Sequence, residues 1–275
     1  MATRRLAIVT GSNQGIGLEA VKQLAAAGLD VILTSRSEEK GRAAAEEASA
    51  AACSADAPGS ITALQLDITD TSSVAAFTAA VEQLGRPVDV LVNNAGMAYK
   101  GDAFGPDEAA ATLAVNLYGT KALTDAVRPL LAPASARIIN VASRAGRISQ
   151  TSGDVRATLE ADDLTWDALH ALAQGFVTAI ATGNHKELGY SGSMYGMSKA
   201  CEIAYSRILA RELDGNVTVV WMCPGYCSTS MSSYRGTKSA AEGADTITWL
   251  ATVDPAPASA TFYAERTAIT WDTKL

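Results

Sequence analysis

A short apolar segment that leads into a glycine-rich loop and then a helix is the feature that most constrains the fold of this chain. The segment Leu6–Val9 is apolar without polar alternation, which is typical of a parallel strand buried on both faces. The loop occupies residues 10–17, and apolar residues then recur on one helix face until Gly28 ends the helix. Free backbone N–H groups at a helix N-terminus bind anions, so this unit predicts a phosphate cradle.

The glycine spacing of this loop is Gly-x-x-x-Gly-x-Gly, with glycines at positions 11, 15 and 17. It differs from the commoner Gly-x-Gly-x-x-Gly fingerprint of dinucleotide-binding proteins. A glycine-rich turn that only connects a strand to a helix is the structural alternative. The predicted cofactor-binding residues of the loop are Gly11, Ser12, Asn13, Gln14, Gly15, Ile16 and Gly17.

Further apolar segments that alternate with helical patterns predict strands at 31–36, 61–66, 88–92 and 137–143. This alternation is typical of an α/β fold with a doubly wound parallel sheet of the Rossmann type, helices on both faces and right-handed crossovers. We expect residues 1–275 to form a single domain. Ligands of such sheets bind beyond the carboxyl ends of the strands. The residues that stand at these ends are Gly11, Arg36, Asp67, Asn94 and Ser143.

The end of the second predicted strand indicates which nicotinamide cofactor the chain binds. An acidic residue at this point binds the ribose 2′-hydroxyl of NAD, but Arg36 stands there, preceded by Ser35. A guanidinium and a hydroxyl suit a 2′-phosphate, which favours NADPH and NADP+. Glu38 and Glu39 leave open how strongly NADPH is preferred over NADH. We expect both in the first turn of the next helix, around 38–52, where the helix dipole favours acids.

Tyr195 and Lys199 lie four residues apart at the start of a predicted helix, so they project from the same face. A phenol is a weak acid, with an unperturbed pKa of about 10. A neighbouring ammonium favours the phenolate and makes the phenol a better proton donor. The pair is therefore suited to protonating a carbonyl oxygen while hydride is delivered, although a solvated helix face has the same spacing.

Motifs along the whole chain resemble those of the short-chain dehydrogenase/reductase family. They are Thr10-Gly-x-x-x-Gly-x-Gly17, Asn93-Asn-Ala-Gly96, Asn116 in a helical region around 107–131, Ser143, Tyr195-x-x-x-Lys199, and Pro224-Gly225 with Thr229 after a sixth strand. The resemblance implies that Tyr195 is the general acid/base and that Ser143 hydrogen-bonds the substrate oxygen. It also implies that Asn116 holds a water that relays protons from Lys199.

The same resemblance implies how the cofactor binds. Lys199 binds the nicotinamide ribose hydroxyls and lowers the pKa of Tyr195, which lies beside the cofactor as well. The remaining expected contacts are Asp67 and Ile68 at the adenine, Asn94, Ala95 and Gly96 along the adenosine, and Thr229 at the carboxamide; Pro224 and Gly225 are also expected to bind the cofactor. A turn that stabilises the sheet is the structural alternative for residues 93–96, and both roles are compatible.

An insertion at about 150–190 separates Ser143 from Tyr195, which stands 52 positions further on. It contains a predicted helix that Thr165 begins and Gly183 ends. The apolar stripe of this helix consists of Leu169, Leu172, Phe176 and Ile180. The insertion resembles that of monomeric carbonyl reductases and of plant reductases of terpenoid and alkaloid ketones. We expect the helix to cover the helices that carry Asn116 and Tyr195, and the protein to be a monomer.

The predicted function is the reduction of a ketone or aldehyde to an alcohol by an NADP(H)-dependent oxidoreductase, with Tyr195 as general acid. Two alternatives use the same scaffold: reduction of an activated C=C bond, and a non-enzymatic NADP(H) sensor. Intact Tyr195 and Lys199 argue against both. The identity of the carbonyl substrate does not follow from the sequence. Candidate residues that line its pocket are Met97, Arg144, Tyr226 and Met231.

The composition excludes several other classes of protein. A net charge of −7 argues against a nucleic-acid binder, and no apolar run reaches the length of a membrane span. The four cysteines lack metal-ligand spacing, so we expect free thiols, no metal and a cytoplasmic location. The first residues lead directly into a strand, which is too short for a signal-peptide core. We interpret Cys227 as a packed thiol, and His170 and His185 as surface residues.

Overall fold

In the computed structural model, described for residues 4–53, 55–101, 103–213 and 215–273, all the strands belong to one sheet. They are β1 (Leu6–Val9), β2 (Asp30–Ser35), β3 (Ile61–Gln65), β4 (Val90–Asn93), β5 (Arg137–Val141), β6 (Thr218–Cys223), β7 (Thr261–Ala264) and β8 (Thr267–Ile269). The order is β3-β2-β1-β4-β5-β6-β7-β8, and the strands are parallel except for β8, which pairs antiparallel with β7. This confirms the predicted doubly wound sheet. The strand order reverses between β1 and β4, where such sheets open a ligand crevice.

Helices cover both faces of the sheet, as predicted. They are α1 (Gly15–Ala26), α2 (Glu38–Ala52), α3 (Thr71–Glu82), α4 (Pro106–Leu113), α5 (Thr120–Val127), α6 (Gly153–Glu160), α7 (Trp166–Thr182), α8 (Met194–Glu212) and α9 (Ala240–Thr252). On one face α1, α2 and α9 enclose an apolar core, and on the other α3, α4, α5 and α8 enclose a larger one. Strands β1, β4 and β5 are buried at every residue, which explains their mainly apolar sequences; the polar exceptions are Asn93, Arg137 and Asn140.

The structure differs from the prediction at several element boundaries. The fourth strand begins at Val90 because Val88 makes only an isolated bridge. The predicted helix around 107–131 consists of α4, a π-helical turn at Ala114–Gly119, α5 and a 3₁₀ turn. Strands β7 and β8, at one end of the sheet, were not predicted. They have only four and three residues, and β8 is largely exposed, so neither has a long apolar run.

The insertion folds as predicted against the helices of the larger core. Thr165 caps α7 by accepting the N–H of Ala168 at 3.3 Å, and Gly183 ends the helix in a left-handed conformation with φ 77°. The predicted apolar stripe of α7 is buried, and the helix packs against α4 and α8. Each such side chain contributes about 1.5–3 kcal/mol when fully buried, so α7 is firmly docked.

Helix α8 is buried almost all round, with 15 of its 19 residues buried. The sequence predicted only one apolar side. The difference arises because α6 and α7 of the insertion cover the side of α8 that faces away from the sheet. Across the described part of the chain, no helix combines the length and apolar character needed to cross a membrane.

Candidate active site

The glycine-rich loop and the first turn of α1 line a groove of about 360 Å³ at the carboxyl ends of the strands. The N-cap residue Gln14 makes no side-chain capping hydrogen bond within the described residues. The N–H groups of the first helical turn are therefore left for a ligand. This is the arrangement expected of a phosphate cradle.

Two glycines of the loop approach the segment after β4 more closely than any side chain would allow. A Cβ on Gly11 would lie 2.9 Å from Ala95 Cα, and a Cβ on Gly17 would lie 2.5 Å from Asn94 Nδ2. Gly11 also has a left-handed backbone, with φ 58°. The loop and the segment after β4 consequently pack directly together and form the floor of the groove.

Most of the predicted cofactor-binding residues line this groove. They are Gly11, Asn13, Gln14, Gly15, Ile16, Gly17, Arg36, Asp67, Ile68, Asn94, Ala95, Gly96 and Thr229. Leu66, Thr69, Val115 and Ser230 also line it and were missed by the sequence analysis. The position of Thr69, two residues after Asp67, was a sequence signal for it. In the structure its hydroxyl donates a hydrogen bond to Asp67 Oδ1 at 2.6 Å.

Arg36 lines the groove and is exposed. Its guanidinium is therefore accessible to a 2′-phosphate, as the predicted preference for NADPH requires. Glu38 and Glu39 lie in the first turn of α2, as predicted, and do not line the groove. Ser35 needs a correction. It is buried, and its Oγ accepts the N–H of Ser37 at 3.2 Å, because alternation along β2 turns its side chain away from Arg36.

Ser12 also differs from its prediction. It does not line the groove, and its side chain instead stabilises the loop. Its buried hydroxyl donates to Val9 O at 2.7 Å and accepts from Thr34 N at 3.0 Å. Thr10 was not predicted to bind the cofactor. Its hydroxyl oxygen accepts hydrogen bonds from the N–H groups of Asn94 and Ala95, both at 2.8 Å. Residues 93–96 therefore support the sheet and line the groove at once.

A second cavity of about 300 Å³ adjoins the groove and contains both predicted hydroxyl groups, those of Ser143 and Tyr195. The two spaces share Ile16, Thr229 and Met231. Pro224 and Gly225 line the second cavity and not the groove.

Two structural elements bring the hydroxyl groups together. Ser143 follows β5 by two residues, and Tyr195 is the second residue of α8, a helix that Ser193 caps by accepting the N–H of Gly196 at 3.0 Å. The turn after Ser143 packs on α8 so closely that a Cβ on Gly146 would lie 2.6 Å from the carbonyl carbon of Lys199. As a result the Ser143 hydroxyl and the Tyr195 phenol line the same cavity, close enough for Ser143 to lower the pKa of Tyr195.

Opposing influences set the acidity of Tyr195. Burial raises the pKa of its phenol, whereas the Lys199 charge lowers it; the Glu202 charge raises it again and the Ser143 hydrogen bond lowers it. The family resemblance implied that Lys199 lowers this pKa, and its charge does so. In this structure the pKa of Tyr195 is raised overall, because withdrawal from water outweighs the nearby ammonium.

Lys199 is buried beneath Tyr195, with its Nζ 5.9 Å from the centre of the phenol ring. The ammonium donates to Val141 O at 2.8 Å and to Glu202 Oε2 at 2.5 Å. Burial has the largest single effect and lowers the pKa of Lys199, but attraction to Glu202 and Tyr195 and the hydrogen bond to Glu202 together outweigh it, and the pKa is raised. The sequence analysis missed Glu202, although its position three residues after Lys199 places it on the same helix face.

Asn116 lies fully buried in the π-helical turn between α4 and α5, a type of turn that often occurs at functional sites. Its Nδ2 donates to Met97 O and to Ser198 Oγ, both at 2.9 Å, and its Oδ1 accepts from Met97 N at 2.8 Å. The amide thus ties the chain after β4 to α8. Its role in a water relay stays a prediction.

The candidate substrate residues separate in the structure. Tyr226 and Met231 line the second cavity, and Met97 lines the groove. Arg144 lines neither, because the 3₁₀ turn after Ser143 carries it away. It lies instead near Glu265, whose pKa is lowered mainly by a hydrogen bond from Lys238 and slightly by Arg144. Additional lining residues that the sequence analysis missed are Ala98, Ala142, Ala145, Cys227 and Ser232.

The cysteines and histidines agree only partly with expectation. Cys53, Cys201, Cys223 and Cys227 are free thiols. Cys227 is buried at the wall of the second cavity and donates to Pro224 O at 3.3 Å, as expected of a packed thiol. His170 is exposed, but His185 is half-buried, with its ring 5.3 Å from that of Phe104.

Comparison with known proteins agrees with the fold and with the arrangement of these side chains. The sequence model of the short chain dehydrogenase family matches residues 5–158. The chain belongs to the short-chain dehydrogenase family.

Within the family, the chain is similar to carbonyl reductases and to plant ketone reductases, the subgroup that the insertion predicted. It is 33% identical to rat carbonyl reductase [NADPH] 3, over 91% of this chain and 92% of the relative. The structure of salutaridine reductase from Papaver somniferum superposes with a TM-score of 0.85 at 28% identity, covering 94% of this chain and 99% of that one. Menthone neomenthol reductase from Mentha piperita has a TM-score of 0.80 at 28% identity, with 95% and 98% covered.

Proposed function

We propose that this protein reduces a ketone or an aldehyde to the alcohol, with NADPH as hydride donor. One observation carries the proposal: the hydroxyls of Ser143 and Tyr195 lie together in a cavity that adjoins the glycine-lined groove. A carbonyl bound there receives hydrogen bonds to its oxygen. Similarity to NADPH-dependent carbonyl reductases supports the same activity.

Each side chain of the site has a distinct part in the reduction. Ser143 and Tyr195 donate hydrogen bonds to the carbonyl oxygen, where negative charge develops as hydride reaches the carbon. Tyr195 then gives its proton to this oxygen as general acid. The Lys199 ammonium, buried close to the phenol ring, stabilises the phenolate that remains. Asn116 fixes the backbone on both sides of the site.

The groove fits NADPH, which supplies the hydride when bound. The close approach of Gly17 to Asn94 leaves no room for a side chain, and the first turn of α1 presents free N–H groups to a pyrophosphate. Exposed Arg36 is suited to the 2′-phosphate. Asp67 and Ile68 line the part of the groove that we assign to the adenine.

The lining of the second cavity supports an uncharged and largely apolar substrate. Its side chains are neutral, and Ile16, Tyr226 and Met231 give it apolar walls. A charged substrate group buried there would lack a partner of opposite charge, which is costly. We therefore assign neutral ketones and aldehydes as the substrate class. The relative from Mentha piperita, whose name includes menthone, is consistent with this class.

The two alternative functions fit the site less well. Reduction of a C=C bond does not require a phenol and a serine hydroxyl that together address one carbonyl oxygen. A non-enzymatic sensor does not require a buried Lys199 held beside Tyr195. The paired hydroxyl groups therefore favour carbonyl reduction over both.

We further propose that the chain is a single-domain monomer that acts in the cytoplasm. Helix α7 buries its apolar stripe against α4 and α8, which denies that surface to a second copy. The two apolar cores lie on opposite faces of one continuous sheet, which supports a single domain. Four free thiols are consistent with a reducing compartment.

The proposed activity is tested by mixing the purified protein with NADPH and following the loss of its absorbance. The substrate panel contains menthone, an aromatic aldehyde, an α,β-unsaturated ketone and, as a charged control, a keto acid. We expect turnover of the neutral carbonyl compounds and little of the keto acid. Product analysis of the unsaturated ketone distinguishes C=O from C=C reduction. NADPH binding without turnover of any compound would support the sensor instead.

A further inference from the structure

Glu202 forms a buried ion pair with Lys199 directly below the proposed active site. Its Oε2 lies 2.5 Å from Lys199 Nζ, and the side chains of Lys199 and Glu202 are only 5% and 1% exposed. Residues 195, 199 and 202 of α8 share one helix face, so the phenol, the ammonium and the carboxylate follow one another along it.

A buried carboxylate requires a function or a partner, because taking a charge out of water costs several kcal/mol. The next residue, Ile203, is fully buried, so this part of α8 also packs well with an apolar side chain. Val141 O already accepts one hydrogen bond from Lys199. Glu202 supplies a second acceptor and a full negative charge, so the ammonium has one N–H left to direct elsewhere.

The other titratable groups that act on the pair lie on α8 and at the end of β6. Tyr195 lies on the same helix, and Cys223 at the end of β6 acts on both Tyr195 and Lys199. From β5 the pair meets the Val141 carbonyl, which does not titrate. Burial raises the pKa of Glu202 to about 7, against the opposing effect of Lys199.

We propose that Glu202 is a positioning residue that locks the Lys199 ammonium in place and, through its negative charge, keeps Tyr195 protonated and so favours reduction over alcohol oxidation. The inference rests on the proposed carbonyl reductase function. With Glu202 ionised, loss of the Tyr195 proton leaves the three groups with a net charge of −1. With a neutral residue at position 202 the same loss leaves a net charge of zero, which is easier to accommodate in a buried site.

The sign of the pH effect follows from this charge balance. Reduction needs the protonated phenol, so it declines as pH rises through the pKa of Tyr195. Glu202 raises that pKa, and its removal therefore moves the decline to lower pH. The effect requires an ionised Glu202, so it is present above pH about 7 and fades below it.

The test compares Glu202→Gln, Glu202→Asp and Ser206→Ala with the parent enzyme, all with saturating NADPH, which stabilises the folded state. Reduction and oxidation rates are measured across pH. For Glu202→Gln we expect the ratio of oxidation to reduction at a fixed alkaline pH to rise about tenfold, the order expected when a nearby charge is removed. Glu202→Asp moves its carboxylate away from Lys199, so its profile shifts in the same direction by less.

Ser206→Ala is the matched control, because it removes a buried hydroxyl one turn further along α8 that hydrogen-bonds the Glu202 backbone carbonyl and Asn140 and has no hydrogen bond to the Glu202 carboxylate or Lys199. Its profile should match that of the parent enzyme. Unshifted profiles for both Glu202 variants would overturn the inference while leaving the proposed function intact, and so would an equal shift in Ser206→Ala. If Glu202→Gln does not fold, Glu202→Asp alone decides. A parent enzyme that reduces no carbonyl compound would instead refute the proposed function.

Discussion

Asn116 donates a hydrogen bond to Ser198 Oγ over 2.9 Å, which joins the π-helical turn to the helix that carries Tyr195 and Lys199. The same amide exchanges two hydrogen bonds with the backbone of Met97. Ser198 in turn donates to Tyr195 O at 2.9 Å. One buried side chain therefore holds the floor of the groove and the start of α8 in register.

Asn116→Ala should lower both stability and activity, because it removes the partner of the half-buried Met97 N–H and carbonyl and of the buried Ser198 hydroxyl. Unsatisfied buried groups cost about 1–3 kcal/mol each. We expect a loss of about 2–4 kcal/mol in the free energy of unfolding, measured by denaturant titration. Ser198→Ala removes only one of the three bonds and serves as the control. Equal stabilities for Asn116→Ala and the parent protein would contradict this interpretation.

Tyr195→Phe should lower kcat by about 10²–10⁴-fold, because general acid catalysis contributes about that factor. NADPH affinity should stay close to that of the parent enzyme, since the groove is lined by other residues. Turnover and cofactor titration are measured together. Tyr226→Phe removes another phenol from the same cavity and should retain most of the turnover. More than half of the parent turnover in Tyr195→Phe would exclude Tyr195 as the acid.

Arg36→Asp should shift the cofactor preference from NADPH toward NADH by at least about tenfold. Hydrogen bonds to charged groups contribute about 1.5–3 kcal/mol, and about 1.4 kcal/mol corresponds to a factor of ten. The ratio of kcat/KM for the two cofactors measures the change. Arg42→Asp introduces the same charge change at an exposed position of α2 outside the groove, and should leave the ratio unaltered. Unchanged NADPH affinity in Arg36→Asp would mean that another basic residue binds the 2′-phosphate.

Light scattering at micromolar concentration should give a mass near the chain mass of 28.4 kDa, because α7 occupies the surface that a partner would need. A stable dimer built on α4 and α8 would refute the monomer.

Phe176→Ala should destabilise the protein by about 3–5 kcal/mol, since its ring is fully buried on the inner side of α7. Thr178→Ala, at an exposed position of the same helix, should have little effect.

Local sequence patterns predicted the main elements of this fold and most of the residues that line the groove. Unbroken apolar segments marked the buried strands, and parallel strands bring their carboxyl ends to one edge, so Gly11, Asp67 and Asn94 were expected to meet. Spacing along a helix placed Tyr195 beside Lys199 in the same way. These features depend on backbone periodicity and chain order, which are read directly from neighbouring residues.

Only the tertiary structure decided what surrounds these residues. It buried Ser35 and carried Arg144 away from the cavity, although both stand next to residues that line the site. It buried the ion pair of Lys199 and Glu202, and it raised the pKa of Tyr195 overall although Lys199 lowers it. Burial and charge proximity depend on the packing of α8 against β5, β6 and the insertion, elements far apart in sequence, so no local pattern predicts their balance.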